Sequence, residues 1–190
     1  MTDSIQAGLI FLITTVFDLY LFILTIRIIL VWVGANYFNP VTRFVTRWTD
    51  FIVKPLRRFI PNYRHVELSS LVLLLVLQMV KFLFICLLSY GPPNIIGLFL
   101  LALAASIKSI IELFFYGILF QAILSWIQPG SPLNQVLYQF TSPIMRPLHR
   151  LIPPIGGLDI TPIPAMILLQ FLIITLVSPL MSSGLHVALG

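Results

Sequence analysis

Five ionisable side chains stand in stretches that are otherwise apolar: Asp18, Arg27, Lys81, Lys108 and Glu112. Each costs about 2.5–3.5 kcal/mol at the centre of a bilayer on insertion scales, so each has to be paired or wetted. Carboxylates and amines held in that setting do one of two kinds of work. They line a path for an ion, a proton or a small osmolyte, or they hold helices together by salt bridges and hydrogen bonds. Lys108 and Glu112 are four residues apart and can pair on one helix face. Arg27 is about a turn from Trp32 and can snorkel to the membrane surface. Asp18 and Glu112 are expected to face each other near mid-bilayer, with Lys81 or Lys108 as counter-charges. Gln78 and Gln170 are expected to form a second polar layer. Other chemistry finds no foothold. His65, His149 and His186 are scattered, and the chain has no zinc-protease helix, nucleophile elbow, phosphate loop or dinucleotide fingerprint. A single cysteine, Cys86, excludes an internal disulfide or a cysteine metal site, and reads as a small core or lipid-facing residue. We therefore read no catalytic, cofactor-binding or metal-ligating residues, and no enzyme.

The elements that position these residues are membrane spans. Of 190 residues, 59% are hydrophobic and only 9% are charged, against about 25% charged in soluble domains. A bilayer core needs roughly 20 mostly apolar residues in a helix. Spans are expected at about 7–33, 68–90, 105–127 and 163–180. The first is too long for a signal-peptide core and is expected to stay in the membrane. Gly91-Pro92-Pro93-Asn94 is a breaker. The next apolar run, Ile95 to Ile127, is too long for one span and too short for two. It is read as a short apolar helix, about 95–104, leading into a span. That short helix is re-entrant, interfacial or part of a fifth span; the last is disfavoured because it would put one basic segment outside.

Between the first two spans, Val41, Phe44, Val45, Trp48 and Ile52 oppose Arg43, Arg47, Lys54 and Arg58 at helical spacing. This predicts an amphipathic helix over about 40–59 that lies flat at the interface, with Trp48 on its apolar side. Asn39-Pro40 caps it, and Pro55 is expected to kink or end it. The pattern returns over about 132–151, with Ser131-Pro132 as the cap. Pro40, Pro55 and Pro61 match Pro132, Pro147 and Pro153 at a constant offset of 92, as do Thr49 and Thr141, Glu67 and Asp159, and Gln78 and Gln170. Upstream the offset is 94, pairing Asp18 with Glu112 and Trp32 with Trp126. So many ordered matches point to duplication. The expected architecture is an all-α bundle of two parallel repeats, 1–90 and 105–190, each a span, a flat helix and a span, separated by the segment 91–104.

Formal net charge is +5, but its placement matters more. Arg43, Arg47, Lys54, Arg57, Arg58 and Arg64 lie in the first inter-span segment and Arg146 and Arg150 in the second; the tails have no Lys or Arg. The positive-inside rule puts both flat helices in the cytoplasm and both termini outside. The basic face formed by Arg43, Arg47, Lys54, Arg57, Arg58, Arg146 and Arg150 suits anionic headgroups, at about 1 kcal/mol per residue, or a docked cytoplasmic partner; a membrane-protein partner or a homo-oligomer is the further expectation for the chain. Nucleic acid is the weakest reading, because this phosphate-seeking face lies on lipid.

The doubled block resembles the YggT family of bacterial membrane proteins and its YlmG-type relatives. The resemblance rests on Asn39-Pro40, Lys54-Pro55-Leu56-Arg57-Arg58-Phe59-Ile60-Pro61, Arg146-Pro147-Leu148-His149-Arg150-Leu151-Ile152-Pro153 and Gly156-Gly157-Leu158-Asp159. It departs at Asn62 to His65, where the usual glycine pattern is missing. The resemblance implies the bacterial inner membrane, an association with osmotic-stress tolerance, and a part in envelope or division organisation. Two functions are compatible with it: a non-enzymatic scaffold or assembly factor, or a small ion or osmolyte channel or transporter using Asp18/Glu112 and Gln78/Gln170.

Overall fold

The structure is a computed structural model and describes residues 2–35, 39–62, 66–128, 130–152 and 159–190. The sequence readings that involve Arg64, His65, Pro153 and residues 156–158 lie outside these. The described elements are helical throughout: α1 (Thr2–Trp32), α2 (Pro40–Leu56), α3 (Leu68–Ser89), α4 (Ile95–Ile127), α5 (Pro132–Leu151), α6 (Pro162–Leu172), a π-helical turn (Ile173–Val177) and α7 (Ser178–Leu189). The last three run end to end. Four helices are long and apolar enough to cross a membrane: Ser4–Trp32, Leu68–Ser89, Ile95–Ile127 and Pro162–Leu189.

Local signals start these helices where the sequence places them. The Asn39 side chain accepts from the Val41 N–H at 2.9 Å and Pro40 takes the first position of α2. Ser131 accepts from the Asn134 N–H at 3.1 Å ahead of Pro132. Each cap satisfies one of the donors that a helix start leaves orphaned. Pro55 sits one residue from the end of α2, as expected, while Pro147 at the matching position lies inside α5, which continues to the expected Leu151.

The division at 104 is also corrected. Ile95–Ile127 is one helix of 33 residues, capped by Asn94, whose side chain accepts from the Ile96 N–H at 2.9 Å. At about 1.5 Å per residue it is roughly 50 Å long, against a hydrocarbon core of about 30 Å. Nothing inside it breaks a helix: it has no proline, and its first glycine is in the first turn. The excess length is held by α7. A Cβ built at Gly97 would run into the Ala188 backbone, and one at Gly184 would lie 2.8 Å from the Leu101 nitrogen. The Asn94 N–H donates to the Ala188 carbonyl at 2.9 Å. Small residues that let backbones approach are how helices associate where lipid is as apolar as the core. The last span likewise extends past the expected 180 to Leu189.

The flat helix α2 has three faces rather than two. Thr42, Val45, Thr49 and Val53 are buried against the bundle. Phe44, Trp48 and Phe51 are exposed, and the basic residues form the third face. Val45 therefore leaves the apolar stripe it shared with Phe44 and Trp48 in sequence, because helical spacing puts it about 100° from Phe44. One core cluster joins Leu21, Leu24 and Ile28 of α1 to Val53, Leu73 and Leu74. A second joins Ile29 and Leu30 to Phe114, Phe140, Met145 and Leu169. Cys86 is buried.

Gly97→Val is expected to lower stability by about 1–3 kcal/mol through overpacking. Thermal unfolding in detergent should show it, with protease sensitivity appearing first in the C-terminal helix. Gly8→Ala, which meets open space, should be silent; equal effects of the two would remove the α4–α7 clasp.

Candidate functional site

Two polar assemblies form inside the bundle. The first is an ionic cluster where α1, α2 and the start of α3 meet. Arg27 does not snorkel: its side chain is 2% exposed. Its Nε and Nη2 donate to the two Glu67 carboxylate oxygens at 2.7 and 3.1 Å, and its Nη1 donates to Thr49 Oγ1 and Asp50 Oδ1, each at 2.7 Å. Glu67, fully buried, also accepts from Ser70 Oγ at 2.6 Å and from Arg57 Nε at 2.6 Å. Lys54 closes the set through Asp50 at 2.9 Å. Burial by itself raises the Glu67 carboxyl; hydrogen bonds from Arg27, Ser70 and Arg57 outweigh that and hold its pKa below the usual carboxylate range. Asp50 is lowered in the same way, with burial opposed by Lys54 and Arg27.

Sequence reasoning gave Arg27 the wrong partner, the membrane surface. The signal was present. Of the four acids in the first half, Asp3 and Asp18 lie far up α1, which leaves Asp50 and Glu67 as counter-ions. Two of these contacts have counterparts 92–94 residues on, in milder chemistry. Thr141 donates to Gln121, where Arg27 bonds Thr49 in the first half. His149 Nε2 lies 2.9 Å from Asp159 Oδ2, where Arg57 pairs with Glu67. Burial raises Asp159, and its bonds to Thr161 and His149 bring it below the ordinary value.

The second assembly is a polar cavity of about 280 Å³ half-way along the spans. Asp18, Gln78, Lys81, Lys108 and Glu112 all line it. Lys81 Nζ bonds Asp18 Oδ1 at 2.8 Å, and Lys108 Nζ lies 3.4 Å from Glu112 Oε1 on its own helix. Asp18 and Glu112 thus share one cavity, Asp18 paired with Lys81 and Glu112 with Lys108. Gln78 Nε2 donates to Ser109 Oγ at 3.3 Å, while its buried Oε1 has no partner among the described residues. Gln170 is elsewhere: it is exposed on α6, so the expected glutamine layer does not form. The reason is spacing: α6 offers Ala165 and Leu169 to the core, and Gln170 lies next to them on the outward side. A second cavity of about 200 Å³, lined by apolar side chains such as Ile26, Phe120 and Phe140, continues from the first. The two share Phe22, Leu113 and Tyr116, making one groove along α1 and α4. Among the described residues, no three His, Cys, Asp or Glu side chains could together hold a metal ion.

The basic face is partly committed. Arg57 and Lys54 are tied to Glu67 and Asp50. Arg43, Arg47, Arg58, Arg146 and Arg150 are exposed.

The CCB3/YggT family model matches residues 6–88 and 100–180. The chain belongs to this family. It is 39% identical over 164 residues to an uncharacterized protein from the proC 3′ region of Vibrio alginolyticus, covering 85% of this chain and 89% of the relative. It is 34% identical over 173 residues to an uncharacterized Pseudomonas aeruginosa protein, covering 89% and 88%. It is 33% identical over 175 residues to the uncharacterized protein YggT of Escherichia coli K12, covering 92% of each. No solved structure matches it. None of these CCB3/YggT relatives carries an enzyme's name.

Because the Glu67 pKa is lower folded than unfolded, its contribution to stability is complete above the ordinary carboxylate value, about 4.3, and is lost as pH falls through the folded-state value. The unfolding midpoint in detergent should be level near neutral pH and drop in acid. Glu67→Gln should cost about 3 kcal/mol at pH 7, by leaving Arg27 short of charge, and should flatten the acid limb. A variant that keeps the full acid limb would sink this assignment.

Proposed function

We propose that this chain is a non-enzymatic scaffold or assembly factor of the bacterial inner membrane, acting on envelope behaviour under osmotic stress. The observation that carries the reading is the α1/α4 groove. It holds charged side chains half-way through the membrane on an open seam, where a neighbouring protein would cover them. The free arginines of α2 and α5 provide a second contact surface, for anionic headgroups or a cytoplasmic segment of the partner. Membership of the CCB3/YggT family supports the setting, and the osmotic role comes from the resemblance alone.

The reading takes the chain as two parallel repeats about a pseudo-two-fold axis along the membrane normal, with both flat helices cytoplasmic and both termini outside. The paired geometries 92–94 residues apart support duplication, as do the two family-matched segments. The distribution of Lys and Arg supports the orientation. Cysteines placed at Arg47 and Arg146 in a Cys86→Ser chain should both label from the cytoplasmic side only. Labelling from opposite faces would overturn the parallel arrangement.

Conduction of an ion or small osmolyte is the second reading. The cavity shared by Asp18, Gln78, Lys81, Lys108 and Glu112 favours it. The cavity's continuation opposes it, because its lining offers no charged side chain, and a bare ion crossing it would lose its partners. Purified protein in liposomes should leak neither potassium, sodium, protons nor small osmolytes above protein-free vesicles. Leak abolished in a folded Asp18→Asn/Glu112→Gln variant would transfer the function to conduction.

A further inference from the structure

We propose that the α1/α4 groove is the interface of a homodimer, in which two copies in the same orientation meet about a two-fold axis along the membrane normal. The proposal deepens the scaffold reading, on which it rests, by naming the first occupant of the docking seam.

The groove carries two matching stripes. Asp18, Phe22 and Ile26 succeed one another at four-residue spacing on α1; Glu112, Tyr116 and Phe120 do the same on α4, each 94 residues on. All six line the two joined cavities. They are also open: the Asp18 side chain is 59% exposed, Phe22 52%, Tyr116 49% and Phe120 57%. Aromatic side chains facing lipid need no partner. A carboxylate and an ammonium half-way along a span do, because such groups face a bundle interior or water in nearly all membrane proteins. The single chain covers this seam only from behind, since α1 packs chiefly on α3 and α4 chiefly on α7.

Charge decides the occupant. At one depth the face carries Asp18 and Glu112 against Lys81 and Lys108, two of each sign. A helix with one charged group would leave an opposite charge uncompensated. A second copy brings an equal set at the same depth, as an isologous interface requires. Lys108 is the group free to cross. Its pairing with Glu112 is the longer of the two at 3.4 Å, and its side chain is 38% exposed, so a change of rotamer lets it bridge to the acids of the other copy. Closing two such faces together also makes the polar cavity an enclosed chamber. Water held there would donate to the buried Gln78 Oε1, which has no partner among the described residues.

The test is oxidative crosslinking of the full chain in membrane vesicles, in a Cys86→Ser background. Phe22→Cys and Tyr116→Cys should each give a dimer of twice the chain's mass. Ile167→Cys, also exposed but on α6 and lining neither cavity, should give none. Lys108→Glu, shown to be folded by an unchanged helical spectrum, should reduce the Phe22→Cys dimer by at least tenfold. Equal dimer at Ile167→Cys, no dimer at either groove position, or a Lys108→Glu chain that dimerises normally would each overturn the proposal. An adduct of a different mass at Phe22→Cys would also overturn it while leaving the scaffold reading in place. Only the liposome leak experiment bears on that reading itself.

Discussion

A buried guanidinium organises the first half of this protein. Arg27 has donors on three nitrogens, and the structure engages all three, with Glu67, Thr49 and Asp50. Those acceptors come from two segments beyond α1, so one side chain fixes the depth and rotation of α1 against the flat helix and against the start of α3. An arginine left half-satisfied in that position would be more costly than an apolar residue. α2 therefore cannot shift against α1 and α3 without breaking the cluster. In the second half Gln121 and His149 stand where the first half has Arg27 and Arg57, and each keeps one contact, with Thr141 and with Asp159.

Much of this order could be read from the residues. The caps at Asn39 and Ser131 and the apolar runs locate α1, α2, α3 and α5 to within about five residues, because these signals are local. Lys108 with Glu112 was legible because the two are four residues apart on one helix; for Asp18 the sequence left Lys81 and Lys108 both open, and the structure pairs it with Lys81. Three features were not. The continuity of α4 was hidden because bilayer thickness sets a minimum length for a span and no maximum; what supports the excess is a glycine contact with α7, remote in sequence. The fate of Arg27 was hidden because a basic residue near a helix end can snorkel or turn inward, and only the position of Glu67 decides between them. Gln170 matches Gln78 in the sequence offset, yet the two occupy different environments, since a sequence match does not fix a residue's neighbours.

The groove and the flat helices divide the surface into regions with different tasks. Lipid can solvate Phe44, Trp48 and Phe51 without help, and headgroups can meet the exposed arginines. Neither can satisfy Asp18 or Lys108 half-way along the spans. At that depth Lys81 and Glu112 supply the counter-charges from within the chain, with the aromatic rings of Phe22 and Tyr116 beside them.

The π-helical turn at Ile173–Val177 corrects the phase of the last span. The buried positions Ala165, Leu169, Ile173 and Val177 recur every four residues. In regular α-geometry that spacing advances by about 40° at each step, so the stripe would wind away from α4. The wide turn, in which the Ser178 N–H reaches back five residues to Ile173, absorbs one residue and rotates all of α7 back by roughly 100°. Gly184 and Ala188 thereby return to the face that meets α4. A single deletion in this turn would let the span close into regular α-helix with the faces of α7 unchanged, whereas straightening the turn at full length would aim the wrong side of α7 at its neighbour.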